Sequence, residues 1–143
     1  MERQIFINLP VSNITASAAF YAALGAARDE RFCDGSSAMM RFTDTITVML
    51  LEQERFASFT PKQIADARTH SEVLLCLSCA DRAEVDKLVD IAAWAGGRAD
   101  PGPSQDYGFM YGRSFEDPDG HIWEAVWMDV EAAMAARTQM QDA

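Results

Sequence analysis

The order of elements read from the first half of this chain recurs in the second. Ile5, Ile7, Leu9 and Val11 alternate with Phe6, Asn8 and Pro10, which is the period of a β-strand. Ser12-Asn13 then supplies a helix N-cap for an Ala-rich segment carrying Phe20, Tyr21 and Leu24. Gly25 can close that helix in a left-handed conformation. Three short strands are expected at 27–33, 38–42 and 46–51, with Asp34-Gly35 and Thr43-Asp44 as hairpin turns. In the second half, residues 73–79 read as a strand. Asp81 with Glu84 forms a capping box for a helix through Ala95, with Leu88, Ile91 and Ala92 on its inner face. Gly96-Gly97 ends it, and strands are expected at 97–100, 110–116 and 121–128. Asp117-Pro118-Asp119-Gly120 is the turn between the last two. Asn13 thus matches Asp81, Gly25 matches Gly96, and Asp44 matches the Asp117–Gly120 turn. Self-similarity of this kind marks an internally duplicated domain.

The duplication sets the organisation of a single domain. Module one covers about 4–52, a linker 53–71, module two about 72–128, and a terminal helix capped by Asp129 fills 129–143. Within the linker, Thr60-Pro61 predicts a short helix running toward Arg68. Each module is a βαβββ unit, so the fold class is α+β. Composition then excludes several roles. With 22 acidic against 12 basic residues the chain carries a net charge of −10, which opposes binding to nucleic-acid phosphates. That charge suits a cationic small molecule, and equally suits solubility alone. Apolar runs such as 16–24 and 73–77 are too short to cross a bilayer, and the N-terminus lacks a signal-peptide core. A cytoplasmic protein without a membrane partner is expected. Cys33, Cys76 and Cys79 are odd in number and read as buried, reduced thiols.

Three segments carry a family resemblance: Asn8-Leu9-Pro10-Val11-Ser12-Asn13 leading to Phe20-Tyr21 and Leu24-Gly25, Leu77-Ser78-Cys79-Ala80-Asp81, and Phe115-Glu116-Asp117-Pro118-Asp119-Gly120 followed by Ile122-Trp123-Glu124. Together they resemble the vicinal-oxygen-chelate superfamily of glyoxalases, bleomycin-resistance proteins and dioxygenases, and within it the branch related to lactoylglutathione lyase. The resemblance implies two βαβββ half-cups around a ligand cleft, with a C-terminal helix. It also implies a homodimer, and in some members a divalent metal held by the first and last strands of each module.

The ligand positions that this resemblance assigns are Phe6, Met49, Leu74 and Glu124. Phe, Met and Leu offer no anionic or imidazole donor, so only Glu124 matches. No cofactor is therefore expected; Zn, Ni, Fe or Mn enters only if the strand register is shifted. His121 and Glu124 are three apart on a strand and fall on opposite faces, as do Cys76 and Cys79. His70, in the linker, reads as a solvated surface residue. Glu124 has two readings. It is a rim carboxylate paired with Arg41 or Arg113, or a cleft carboxylate able to act as a base or to bind a cation. Phe6, Asn8, Met49 and Leu74 would line the same cleft. Tyr107, Phe109 and Tyr111, in a Gly-rich stretch, would form an aromatic flap that stacks on a ligand. Trp94 reads as helix-face packing, and Trp123 and Trp127 alternate opposite to Glu124. A binding protein for a cationic or aromatic small molecule follows from this pattern. The alternatives are a metal-dependent glyoxalase-like lyase or dioxygenase, with Glu124 as a candidate catalytic base, and a ligand-free structural dimer.

Overall fold

The computed structural model describes residues 1–142. Strand β1 (Ile5–Val11) leads into helix α1 (Ile14–Ala23), whose Asn13 cap accepts the Ala16 amide at 2.9 Å. Gly25 follows at φ +106°, a left-handed conformation that suits glycine at a helix end. Strands β2 (Ala27–Arg28), β3 (Ser37–Arg41) and β4 (Ile46–Glu52) complete a sheet ordered β1-β4-β3-β2. β1 and β4 run parallel, and the remaining pairs are antiparallel. The second module repeats the scheme. β5 (Leu75–Ser78) is followed by α3 (Arg82–Trp94), then β6 (Arg98–Ala99), β7 (Gln105–Asp106), β8 (Met110–Glu116) and β9 (Ile122–Met128). Its sheet is ordered β5-β9-β8-β6, with β7 also on β8. The Asp81 side chain caps α3 through the Glu84 amide at 2.8 Å, and the Glu84 carboxylate accepts from the Ala80 amide. The terminal helix α4 (Val130–Asp142) starts at Asp129, which accepts the Ala132 amide. Residue 143 of the expected helix lies outside the described residues.

Three expectations need correction. Residues 29–33 are not strand: Asp29 caps a turn of 3-10 helix over Glu30–Phe32, so β2 stops at Arg28. No helix runs from Thr60 to Arg68. The linker helix is α2 (Gln53–Ala57), directly after β4, and Thr60 only accepts the Lys62 amide in a local turn. Trp94 is 86% exposed at the last turn of α3 and packs no helix face. All three thiols are free, but none is fully buried: Cys76 is exposed, and Cys33 and Cys79 are only partly covered.

One core spans both modules. The helix-facing rows Leu9 and Val11, Ala38 and Met40, and Val48 and Leu50 meet Phe115, Trp123 and Ala125 of the second sheet, with Phe20 and Tyr21 between them. Phe115 stacks on Trp123 at 6.4 Å, and Tyr21 meets Trp123 edge-on at 5.9 Å. Gly97 lies so near Phe20 and the Glu116 carbonyl that a Cβ there would come within 2.7 Å of the ring and 2.1 Å of the oxygen.

Polar groups stitch the same seam. Tyr21 donates its hydroxyl to Asp117 at 2.7 Å and accepts the Trp123 indole N–H at 3.0 Å. Asp119 accepts the Ser12 amide at 2.9 Å and the Ser17 hydroxyl at 3.4 Å. Asp117 also accepts the amides of Asp119 and His121, which closes the turn that Gly120 completes at φ +93°. Burial pushes the Asp117 carboxyl above its ordinary pKa and the Tyr21 hydroxyl well above its own, so the phenol keeps its proton. Each large ring buries surface worth up to about 4–6 kcal/mol, and each hydrogen bond nets about 1 kcal/mol. Burial therefore supplies most of the stability, and the hydrogen bonds set how the modules align.

Candidate functional site

The faces turned away from α1 and α3 are the open ones. On the first sheet the open row of β1 is Phe6, Asn8 and Pro10. It lies beside Thr47, Met49 and Leu51 of β4, with Asn8 opposite Met49. On the second sheet Cys76 of β5 lies opposite Glu124 of β9. Ser114 of β8 flanks Glu124 on its other side. Phe6 is 47% exposed, and Leu74, just before β5, is 56% exposed. Strand alternation thus puts Phe6, Asn8, Met49 and Glu124 on open faces, as the period-two reading of those strands requires.

Glu124 stands apart from the other carboxylates. Asp29, Asp86, Glu116, Asp117, Asp119 and Glu124 are the acidic residues that are not exposed among the described residues. Asp29 pairs with Arg31 and Arg41, Asp86 with Arg113 and Tyr111, and Glu116 with Arg98. Asp117 and Asp119 are tied into the seam. Glu124 alone has no ion-pair or hydrogen-bond partner, and every side-chain oxygen or nitrogen sealed from solvent does have one, so its oxygens face accessible space. The expected pairing with Arg41 or Arg113 does not form. Arg41 is held by Asp29, and Arg113 is forked onto Asp100 at 2.7 and 3.0 Å and reaches Asp86 at 2.9 Å. These three acids sit nearer: Asp29 follows β2 beside β3, and Asp86 of α3 and Asp100 after β6 flank Arg113 on β8. Beside Glu124, burial and then the carboxylate raise the Cys76 thiol pKa, and burial pushes Cys79 up to about 11. Neither is a ready thiolate nucleophile.

The flap residues divide. Tyr111 lies on the helix side of β8, donating to Asp86 at 2.6 Å under the Arg82 guanidinium 5.0 Å from its ring. It does not belong to the open face. Its position is one residue from Gly112, and alternation places the two on opposite sides. Tyr107 is 60% exposed and stacks on Phe109 at 6.2 Å. Arg82 fixes the stretch beneath them, with two 2.8 Å bonds to Asp106 and one of 3.0 Å to the Gly108 carbonyl. That fork holds the Asp106 carboxyl well below the usual carboxylate range.

The metal positions do not fit a metal. Three of the four carry Phe6, Met49 and Leu74, whose side chains offer at best a thioether to a divalent ion. Among the described residues no group of three or more His, Cys, Asp or Glu side chains is placed to hold an ion.

A cavity of about 260 Å³ lies where the two open faces meet the linker. Asn8 and Pro10 of β1, Ile122 at the start of β9, and Phe56, Ile64 and His70 from the linker region are among its walls. A second space of about 250 Å³ lies on the other side of the 64–68 segment, toward Arg68 and Asp119. His121 and Pro10 border both. His70, expected to be merely solvated, is exposed yet lines the larger cavity, and Ile64 is an apolar residue in an otherwise polar stretch whose burial in that wall marks the segment's role. Of the residues expected to bind ligand, only Asn8 lines this cavity. Phe6 and Glu124 lie one alternation step from Asn8 and Ile122 along the same open rows.

Two βαβββ units back to back around a shared core, with open faces converging on a covered cavity, define a duplicated ligand-cleft fold. The model of the glyoxalase/bleomycin resistance protein/dioxygenase superfamily matches residues 3–125, and the chain belongs to that superfamily. A solved hypothetical protein of S. aureus is 29% identical, with a TM-score of 0.72 over 89% of this chain and 95% of that one. A glyoxalase-related enzyme from Fulvimarina pelagi is 22% identical, with a TM-score of 0.73 over 89% and 88%. An antibiotic-binding protein from Streptomyces is 17% identical, with a TM-score of 0.61 over 90% and 98%. Among curated proteins no sequence matches significantly. No described helix is long and apolar enough to cross a membrane.

Proposed function

We propose that this chain binds a small molecule in the cleft between its open faces, using Glu124 as the charged contact and no catalytic metal. The observation that carries this reading is the isolation of Glu124: every other shielded carboxylate among the described residues is neutralised or hydrogen-bonded, and this one is not. A half-buried carboxylate with no partner gains most from a cationic or hydrogen-bond-donating ligand, which replaces the water it forgoes. Phe6, Asn8, Met49 and Leu74 supply a mostly apolar surround, the usual makeup of a small-molecule site, and Tyr107 is the aromatic available from the flap. Abstraction of a proton by Glu124 would leave an enolate with no electrophile at the matched positions, which favours binding over isomerisation. The same fold serves antibiotic binding in the Streptomyces protein. A homodimer is part of this reading, supported by exposed Ile5 and Val73, which the proposed ligand surround does not use.

Thermal-shift screening with aromatic amines and their neutral isosteres tests it. Amines should raise the melting temperature more than their isosteres, and Glu124→Gln should erase the difference. Equal shifts for both series in the wild type would refute the reading.

A further inference from the structure

His121 lines the cavity beneath the linker, and the geometry around its ring fixes which nitrogen can accept a hydrogen bond. His121 Nε2 lies 2.8 Å from the Pro10 carbonyl oxygen. A carbonyl only accepts, so the neutral ring carries its proton on Nε2 and leaves Nδ1 as a bare acceptor. Nδ1 has no partner among the described residues, and every side-chain nitrogen sealed from solvent does have one. Nδ1 therefore opens onto accessible space, and His121 is among the residues that line the two cavities flanking the linker. The larger is walled chiefly by apolar groups, among them Phe56, Ile64 and Ile122. Lys62 and Glu72 on its rim are both exposed. Its size sets a limit: an apolar cavity of about 150 Å³ accommodates benzene, so about 260 Å³ holds one substituted ring rather than a drug-sized molecule.

We infer that this cavity takes a single ring bearing a hydroxyl, a phenol-like group, with the O–H donated to His121 Nδ1. The inference rests on the reading that the chain binds a small molecule, and it names where the apolar body of that molecule sits. Asn8 and Ile122 continue from the cavity wall along the rows that hold Phe6 and Glu124, so substituents on the ring extend toward the open faces.

Phenol and anisole share a ring and differ in the donor. Titrated against the isotope-labelled full chain, both should shift the signals of Ile64 and Ile122, with phenol binding about fivefold more tightly, the worth of one net hydrogen bond. The ¹⁵N resonance of His121 Nδ1 should move with phenol and stay with anisole. His121→Leu removes the Nδ1 acceptor, together with the N–H that faces the Pro10 carbonyl, and introduces no new acceptor. It should bring phenol down to the affinity of anisole and leave anisole unchanged. Failure here is distinguishable from failure of the cation reading, which is judged by the wild-type preference for amines over their neutral isosteres, a comparison that phenol and anisole do not enter. Equal wild-type affinities, a phenol preference that survives in His121→Leu, or an unmoved Nδ1 resonance would each overturn the inference, and the first and last need no variant to fold.

Discussion

The seam between the modules and the cleft on their open faces use similar side chains in opposite ways. At the seam Asp117 and Asp119 are buried, and their oxygens are engaged by Tyr21, Ser12, Ser17 and backbone amides. In the cleft Glu124, three residues beyond the imidazole that borders the linker cavity, engages nothing. The contrast separates structure from function within one motif. The Asp-Pro-Asp-Gly turn, the most specific element of the family resemblance, locks β9 against β1 and α1 through Asp117 and Asp119, and only Asp119 and Gly120 border the linker cavities. The family motif thus lies in residues that align the half-cups, whereas the use proposed for the cleft rests on a side chain left unsatisfied.

Breaking the seam should cost the most. Asp117→Ala strands the Tyr21 hydroxyl and two backbone amides in the core, and should destabilise the fold by about 3–5 kcal/mol in chemical denaturation. A loss below about 1 kcal/mol would show that the seam is dispensable. Tyr21→Phe removes one donor to Asp117 and the acceptor for the Trp123 indole, and should cost about 2 kcal/mol.

The pH dependence of the seam has a definite sign. Burial raises the Asp117 carboxyl above its unfolded value, so the native state binds that proton more tightly. Its contribution is fully present below the unfolded pKa and is lost as pH rises through the folded one. The ion pairs outside the seam behave oppositely. Asp86, Asp100 and Asp106 are held low chiefly by hydrogen bonds from Tyr111, Arg113 and Arg82, and their stabilisation fades as pH falls into the acid range. Replacing Asp117 by Asn should therefore cost more at pH 4 than at pH 7. Equal cost at both would remove the titration of Asp117 from the account.

The cleft should respond weakly in stability. Glu124→Gln deletes no contact and should shift folding stability by no more than about 0.5 kcal/mol. Dialysis against Zn²⁺, Ni²⁺, Fe²⁺ or Mn²⁺ should leave well under one ion per chain, because three of the four ligand positions lack a donor. Near-unit occupancy that vanishes in Glu124→Gln would restore the lyase or dioxygenase reading.

Much of this contrast was legible in the sequence, for a physical reason. Period-two alternation fixed which side of β1, β4 and β9 each residue takes, so Phe6, Asn8, Met49 and Glu124 could be placed on open faces without coordinates. Caps at Asn13 and Asp81 and positive-φ glycines at 25 and 96 are local signals, and they marked the helices. The linker had no such signal. Thr60-Pro61 resembles a helix start, but no apolar stripe follows to make a helix worth burying, and the segment instead lays Ile64 against the cavity. Long-range pairings were equally hidden: nothing local to Arg113 announces Asp86 and Asp100, and nothing local to His121 announces the Pro10 carbonyl. Tyr111 was misplaced because glycines on either side obscured the alternation that puts it against α3.

The central claim is that Glu124 is unpartnered in order to meet a ligand. Calorimetric titration of a cationic aromatic ligand and its neutral isostere, against wild type and Glu124→Gln, tests it most directly. The account predicts that the cation binds the wild type more tightly and loses about 1–3 kcal/mol in the variant, with the isostere unaffected. Equal affinity of the two ligands, unchanged by the substitution, would contradict it and leave Glu124 as a solvated carboxylate with no part in binding.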